Sequence, residues 1–214
     1  MAARAGAGPS VGVRVRVRVR DARRGDLAGI QKIYAHHVRH GLASFEETPP
    51  DLAEVTRRFE ATLARGLPYL AAEGEAAEPA LQGYAYAGPY RSRPAYRYSV
   101  ENSVYVAPGL EGRGIGRALL EELIRRCTAL GYRQMIAVIG DSGHLPSIEF
   151  HESLGFTRAG CLRSVGFKFE RWVDSVILQR RLGAGDATLP DAPPRTLLQY
   201  PLGELGTKTS IFTR

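Results

Sequence analysis

Two stretches of the sequence hold residue types whose spacing implies chemistry. In Ser103-Val-Tyr-Val-Ala-Pro-Gly-Leu-Glu-Gly-Arg-Gly-Ile-Gly-Arg117, an apolar run meets glycines at 109, 112, 114 and 116 and opens directly into a helical pattern. A strand, a glycine loop and a helix start aim consecutive backbone N–H groups at one spot, which suits a phosphate or pyrophosphate. Glycine admits such a ligand where a Cβ would obstruct it. The stretch is not a Walker loop, because no Gly-Lys-Ser/Thr follows; the dinucleotide fingerprint fits Gly109 poorly, and its ribose-binding acid is not evident. The second stretch centres on Glu101, mid-strand between Val100 and Asn102. An acid there is costly unless it faces a polar cavity. Period-2 counting sets it on one face with Ser103 and Tyr105, opposite Val100, Val104 and Val106. Just upstream, Tyr90-Arg-Ser-Arg-Pro-Ala-Tyr-Arg97 supplies guanidinium forks that suit a carboxylate.

The elements that must hold these residues follow from periodicity. Residues 1–12 are small and Gly-rich, and Val13 to Arg20 alternates Val with Arg as a half-buried strand whose arginines share one solvated face. Leu27, Ile30, Ile33, Tyr34 and Val38 form one face of a helix running from Asp26 to about His40. Asp51 and Glu54 form a capping box for a second helix with Leu52, Val55, Phe59 and Leu63 on one face. Tyr69–Ala72 and Ala80–Gly88 read as a hairpin joined by the acidic turn Glu73–Pro79. Tyr98–Val106 is a strand, Gly114–Leu130 an amphipathic helix, and Gln134–Ile139 an apolar strand. Ser147–Leu154 is a short helix, and Phe156–Lys168 and Arg171–Leu182 are two final strands. The order β-α-α-β-β-β-α-β-α-β-β predicts an α/β domain around a mixed sheet over residues 13–182. Residues 183–214 read as a Pro- and Gly-containing tail, linker-like through 194, with Leu197, Leu198, Tyr200 and Ile211 available to dock.

Composition excludes several classes. The chain has 214 residues, 44% of them hydrophobic and 24% charged, an ordinary globular balance with room for one core. No apolar run approaches membrane-spanning length, and the opening residues lack the apolar stretch of a secretory signal. Two cysteines cannot make a disulfide framework, so a cytoplasmic protein is expected. The net charge of +7 invites a nucleic-acid partner, but residues 1–24 hold +6 of it and residues 25–182 only +1. A broad phosphate-binding face is therefore not expected on the domain. Cys127 continues the apolar face of its helix, and Cys161 has no ligand-spaced partner. His36 and His40 have i,i+4 spacing without a third ligand, so no metal site is expected.

Gly112-Arg-Gly-Ile-Gly-Arg-Ala-Leu-Leu120, followed by a strand and by Pro146-Ser-Ile-Glu-Phe-His-Glu-Ser-Leu-Gly-Phe156, resembles the Gcn5-related N-acetyltransferase (GNAT) superfamily. Tyr98-Ser-Val-Glu-Asn-Ser-Val-Tyr-Val106 and Val165-Gly-Phe-Lys-Phe-Glu-Arg-Trp-Val-Asp174 are similar to its phosphinothricin and methionine sulfoximine acetyltransferases. The resemblance implies a mostly antiparallel central sheet with helices on both faces, and direct acetyl transfer from acetyl-CoA to the primary amine of a small amino-acid-like substrate. Backbone groups of Val104, Tyr105 and Val106 would pair with the pantetheine arm. Gly112, Arg113, Gly114, Ile115, Gly116 and Arg117 would hold the pyrophosphate, with His144 and Ser147 also on the CoA side. Glu101 would take the amine proton, directly or through water. His151, standing where many superfamily members have Tyr, would serve as acid or base, and N–H groups at the strand splay would face the oxyanion. Arg91, Arg93, Phe45, Glu46 and Lys168 would bind or wall the acceptor. A homodimer is implied as well.

Three residues depart from the family pattern: Glu111 in the loop, His144 in place of a CoA-contacting Asn, and Glu170 in place of the final hairpin's Gly. Two other readings stand beside the lead: a GNAT enzyme acting on a peptide or protein amine, and a non-catalytic acyl-CoA-binding protein whose basic arm binds nucleic acid.

Overall fold

The computed structural model describes residues 17–74 and 80–195. The elements run β1 (Val17–Asp21), α1 (Leu27–His40), α2 (Leu52–Ala64), β2 (Tyr69–Gly74), β3 (Leu81–Pro89) and β4 (Ser99–Val106). Then come α3 (Ile115–Ala129), β5 (Gln134–Gly140), α4 (Leu145–Glu152), β6 (Thr157–Lys168) and β7 (Arg171–Arg181). One seven-stranded sheet has the order β1-β2-β3-β4-β5-β7-β6, and only β4 and β5 pair in parallel. This is the expected mixed, mostly antiparallel sheet. The arm at residues 1–12, the first part of the Val-Arg alternation, most of the acidic turn and residues 196–214 lie outside the described residues.

Period-2 alternation builds two cores from one sheet. Ala85, Ala87 and Val100 face α3, whose Leu119, Leu120, Leu123 and Cys127 are fully buried, together with Ile148 of α4. Each such leucine contributes about 1.5–3 kcal/mol by burial. Tyr69, Tyr84 and Tyr105 face the opposite way, against Ile30, Tyr34 and Val38 of α1 and Val55 and Phe59 of α2. Glu101 belongs to this second face and Asn102 to the first, which becomes important at the site.

Several local expectations need correction. Asp51 caps α2 by accepting the Glu54 N–H at 2.8 Å, but Glu54 turns its own carboxylate to Arg57 and Arg58, so only half of the capping box forms. Leu52 and Leu63 share one face of α2 with Val55 and Phe59, yet they are 49% and 38% exposed, because only the middle of the helix meets the tyrosines of the sheet. The β1 arginines do not share a solvated face. Arg18 is exposed, whereas Arg20 is held between Asp26 and Glu73, each at 2.7 Å. The segment beyond β7, read from its composition as a linker, turns back along the domain. There the Arg195 N–H donates to Leu130 O at 2.8 Å, and Arg133 reaches Thr188 at 3.1 Å.

Candidate active site

The site begins where two parallel strands part. β4 and β5 pair only from Ser99–Gln134 to Glu101–Ile136 and then diverge. On its other side, β4 keeps pairing with β3 up to Val106. In that ladder Tyr90 N–H bonds Ser99 O and Ala107 N–H bonds Gln82 O, so the odd-numbered residues turn their backbone groups to β3. Those of Asn102, Val104 and Val106 point the other way, and past Ile136 Val104 finds no strand partner. The gap between Asn102–Tyr105 and Ala137–Gly140 forms a cavity of about 470 Å³, also lined by Glu101, His144, Ser147, His151, Leu42, Ala43, Phe45, Leu162 and Val165. Of the three backbone positions expected to pair with a ligand, Val104 is free to do so. The Val106 carbonyl accepts His37 Nε2–H at 2.8 Å, and Tyr105 turns its backbone to β3 while its ring packs among Tyr34 and Tyr84.

The glycine loop follows directly. Gly109, Gly112 and Gly114 have φ of 78°, 74° and 87°, the left-handed region, and an added Cβ at any of the three would meet nothing within 4 Å. The space above the loop is open, and glycine is required by its curl. Gly114 caps α3 without any side-chain hydrogen bond, so no side chain answers the first N–H groups of that helix. Uncapped amides above an open cradle fit a pyrophosphate, and the backbone facing the splay fits an extended amide-bearing arm. The arginines contribute less than expected. Arg117 is drawn away to Glu121 at 3.2 Å and Ser153 at 2.6 Å, and Arg113 folds back onto Gly109 O at 3.3 Å. Glu111 is exposed.

Glu101 and His151 reach the cavity from opposite faces of β4. Glu101 is half-buried, and burial raises its carboxyl above the ordinary range, while the nearby Arg91 guanidinium pulls the other way. Such a carboxylate is a better proton acceptor than an exposed one. His151 is buried. Its Nδ1 lies 2.8 Å from Ser147 O, which only accepts, so Nδ1 carries the proton. Nε2 therefore accepts from Asn102 Nδ2 at 3.1 Å. Burial lowers the His151 pKa and favours this neutral form. With its Nδ1–H donated to the Ser147 carbonyl and its Nε2 lone pair accepting from Asn102, the ring as placed directs no proton into the cavity. Asn102 was not singled out from sequence, although it sits beside Glu101 in the same strand. Its carboxamide orientation leaves Oδ1 buried with no partner, an orphaned acceptor at the wall of the splay.

The acceptor residues are more scattered. Phe45 lines the cavity, but Glu46 is bound by Tyr34 OH at 3.0 Å and Arg58 at 2.6 Å. Arg91 and Arg93 are exposed in the loop before β4, with Arg91 stacked on Tyr90. Lys168, expected to touch substrate, is 3% exposed and donates instead to the carbonyls of Gly41 at 3.0 Å and Ser44 at 2.7 Å. Asp174, another residue missed from sequence, holds the cavity rim. It accepts from Ser142 Oγ at 2.6 Å, from Arg163 at 2.9 Å and from the N–H of Ser164, which is at φ 51° in the β6 bulge. Among the described residues, no group of three or more His, Cys, Asp or Glu is placed to hold a metal.

The acetyltransferase (GNAT) domain family matches residues 19–177. The phosphinothricin N-acetyltransferase of Alcaligenes faecalis is 54% identical over 172 residues, 80% of this chain and 86% of that protein. The L-methionine sulfoximine/L-methionine sulfone acetyltransferase of Salmonella typhimurium is 39% identical over 81% of this chain and 98% of its own. The crystal structure of a GNAT superfamily phosphinothricin acetyltransferase from Sinorhizobium meliloti, solved with acetyl-CoA, superposes with a TM-score of 0.79. It shares 47% identity and covers 84% of this chain and 95% of that one.

Proposed function

The chain belongs to the GNAT acetyltransferase family, and from that premise we propose that it transfers the acetyl group of acetyl-CoA to the primary amine of a small amino-acid-like acceptor of the phosphinothricin or methionine sulfoximine type. The single observation that carries this reading is the β4–β5 splay, with a raised carboxylate on one wall and an open, uncapped glycine cradle at its end.

Acetyl-CoA supplies an activated thioester; the chain binds it and manages one proton. Val104 N–H and C=O offer strand-like pairing to the arm of the donor, and the amides from Gly112 to Arg117 take its phosphates. Glu101 removes a proton from the acceptor ammonium, directly or through water; the freed amine forms the new C–N bond as the C–S bond breaks, and the second amine proton passes, directly or through water, to the departing CoA thiolate, so that amide and free CoA thiol leave. His151 holds the Asn102 carboxamide at the donor wall, and the neutral ring keeps a charge out of that buried spot. Arg91 lies close enough to Glu101 to interact with its charge, and with Arg93 two residues away in the same exposed loop it would attract an acceptor carrying carboxylate or phosphinate.

A homodimer is supported by the β6–β7 edge. There Leu162, Val165, Phe167, Phe169 and Trp172 are all more than half exposed on one edge hairpin, the kind of apolar surface that marks a protein–protein contact. Cys127 and Cys161 are unpaired, which fits the cytoplasm. Among the described residues, no helix is long and apolar enough to cross a membrane.

The test is release of free CoA from acetyl-CoA over a panel of amines that includes phosphinothricin, methionine sulfoximine, ordinary amino acids and peptides with free N-termini. Turnover on the first two well above the rest supports the reading. Turnover confined to the peptides contradicts it.

A further inference from the structure

Loop 41–46, between α1 and α2, closes one side of the cavity with Leu42, Ala43 and Phe45. What holds it there is not sequence-local. Lys168, at the end of β6, reaches two of its carbonyls, Gly41 O at 3.0 Å and Ser44 O at 2.7 Å. Phe45, still 42% exposed, rests its ring against two strands. An added Cβ on Gly140 of β5 would lie 2.8 Å from its Cε1, and one on Gly166 of β6 would lie 2.8 Å from its Cδ2, so each glycine leaves the space the ring fills. From the α1 side, Tyr34 OH bonds Ser44 Oγ at 2.8 Å and Glu46 at 3.0 Å.

Lys168 makes no salt bridge within 4 Å among the described residues. Its charge is answered by the loop carbonyls, the face of Phe169 at 4.9 Å and the more distant Glu46 and Glu47. A buried ammonium that loses its hydrogen-bond acceptors is strongly penalised, so lifting the loop is opposed by Lys168 itself. The two contacts therefore act together: the ammonium fixes the loop backbone, and the glycine slot fixes the ring.

We propose that Lys168 is a positioning residue for the acceptor, acting through loop 41–46 to hold Phe45 as the wall against which the acceptor binds, without touching either substrate. The proposal rests on the acetyl-transfer reading of the cavity, but its physical core concerns the free protein. It accounts for a lysine inside a motif next to the site whose amine points away from it.

The test pairs hydrogen exchange on the substrate-free protein with steady-state kinetics for Lys168→Met, Lys168→Arg, Phe45→Ala and Gly166→Ala. In Lys168→Met, amides of residues 41–46 are expected to exchange about tenfold faster, equivalent to 1.4 kcal/mol. The acceptor KM should rise by a similar factor, while calorimetric CoA affinity stays within about twofold. Lys168→Arg, which keeps the charge and donors, should recover part of the loss. Phe45→Ala and Gly166→Ala leave Lys168 in place and should raise the acceptor KM with CoA affinity unchanged, so the proposal remains testable if Lys168→Met does not fold. Unchanged exchange in residues 41–46, or CoA affinity falling in step with acceptor affinity, overturns it. An inactive wild type would count against the acetyl-transfer reading, while the exchange measurement would still decide the strap.

Discussion

On the side of the β4–β5 splay and the loop that follows it, the proposed donor site is offered by backbone: groups of Val104 without a strand partner, left-handed glycines at 109, 112 and 114, and a start of α3 without a side-chain cap. On the side of loop 41–46 and the β6–β7 hairpin, the cavity is made of side chains held by distant partners, such as Lys168 on Gly41 and Ser44 or Asp174 on Ser142 and Ser164. A backbone site serves one invariant ligand and tolerates little change, because its donors are tied to the fold. A side-chain site on loops can be retuned by single substitutions, which suits the variable partner in a two-substrate reaction.

Breaking the boundary between the two sides should have the largest effect. Glu101→Gln keeps size and removes the proposed base; turnover on the best acceptor is expected to fall about 100-fold or more, with CoA affinity unchanged by calorimetry. The Glu101 carboxyl is raised by burial, so the folded state binds its proton more readily than the unfolded chain does. Its ionisation therefore opposes folding increasingly as pH rises through the folded pKa. Glu101→Gln should accordingly be more stable than the wild type at neutral pH in chemical denaturation, with the gain shrinking as pH falls, while losing activity.

Next comes the donor side alone. Gly114 sits at φ 87°, and Gly114→Val forces the loop out of that conformation at a cost of about 1–3 kcal/mol. The KM for acetyl-CoA should rise about tenfold while the KM for the acceptor is unchanged, the reverse of the Phe45→Ala pattern. Coupled loss of both affinities would dissolve the distinction between the two sides.

A smaller effect tests the hairpin. Phe169 and Glu170 occupy both central positions of the β6–β7 turn, with φ of 52° and 58°, conformations that favour Gly or Asn. Glu170→Gly should stabilise the protein by about 1 kcal/mol in thermal or chemical denaturation and leave both KM values as they are. A shifted acceptor KM would place Glu170 at the pocket rim.

The contrast between backbone and side chains also governs how much was legible beforehand. Sequence pattern located the seven strands and four α-helices among the described residues but not the short 3-10 turns at Arg24–Asp26 and Pro94–Tyr96; α3 and β4 were plainest because they bury their apolar residues at periods of 3.6 and 2 whatever their neighbours. The glycine loop was legible because left-handed turns demand glycine. Glu101 stood out because an acid in an apolar strand needs a reason. Side-chain destinations were not legible. Lys168 lies 127 residues from Gly41 in the chain, and nothing local announces that pairing. Arg20 alternates like its neighbours yet ends between Asp26 and Glu73, and Arg117 swings to Ser153, just past the end of α4. Asn102 was hidden because its role comes from His151, on another element, which leaves its Oδ1 unpartnered. The odd–even division that removes the Tyr105 backbone from the donor side required the β3 register, which pattern alone does not supply.

The central claim is that Glu101, raised by its burial at the splay, is the group that deprotonates the acceptor. It is tested most directly by the pH dependence of kcat/KM for the acceptor, compared between wild type and Glu101→Gln at saturating acetyl-CoA. The wild type should lose activity with falling pH along a limb set above the usual carboxylate range, because the base must be ionised. The residual activity of Glu101→Gln should lack that limb. An identical acid limb in both proteins, with turnover preserved in the variant, would contradict the account.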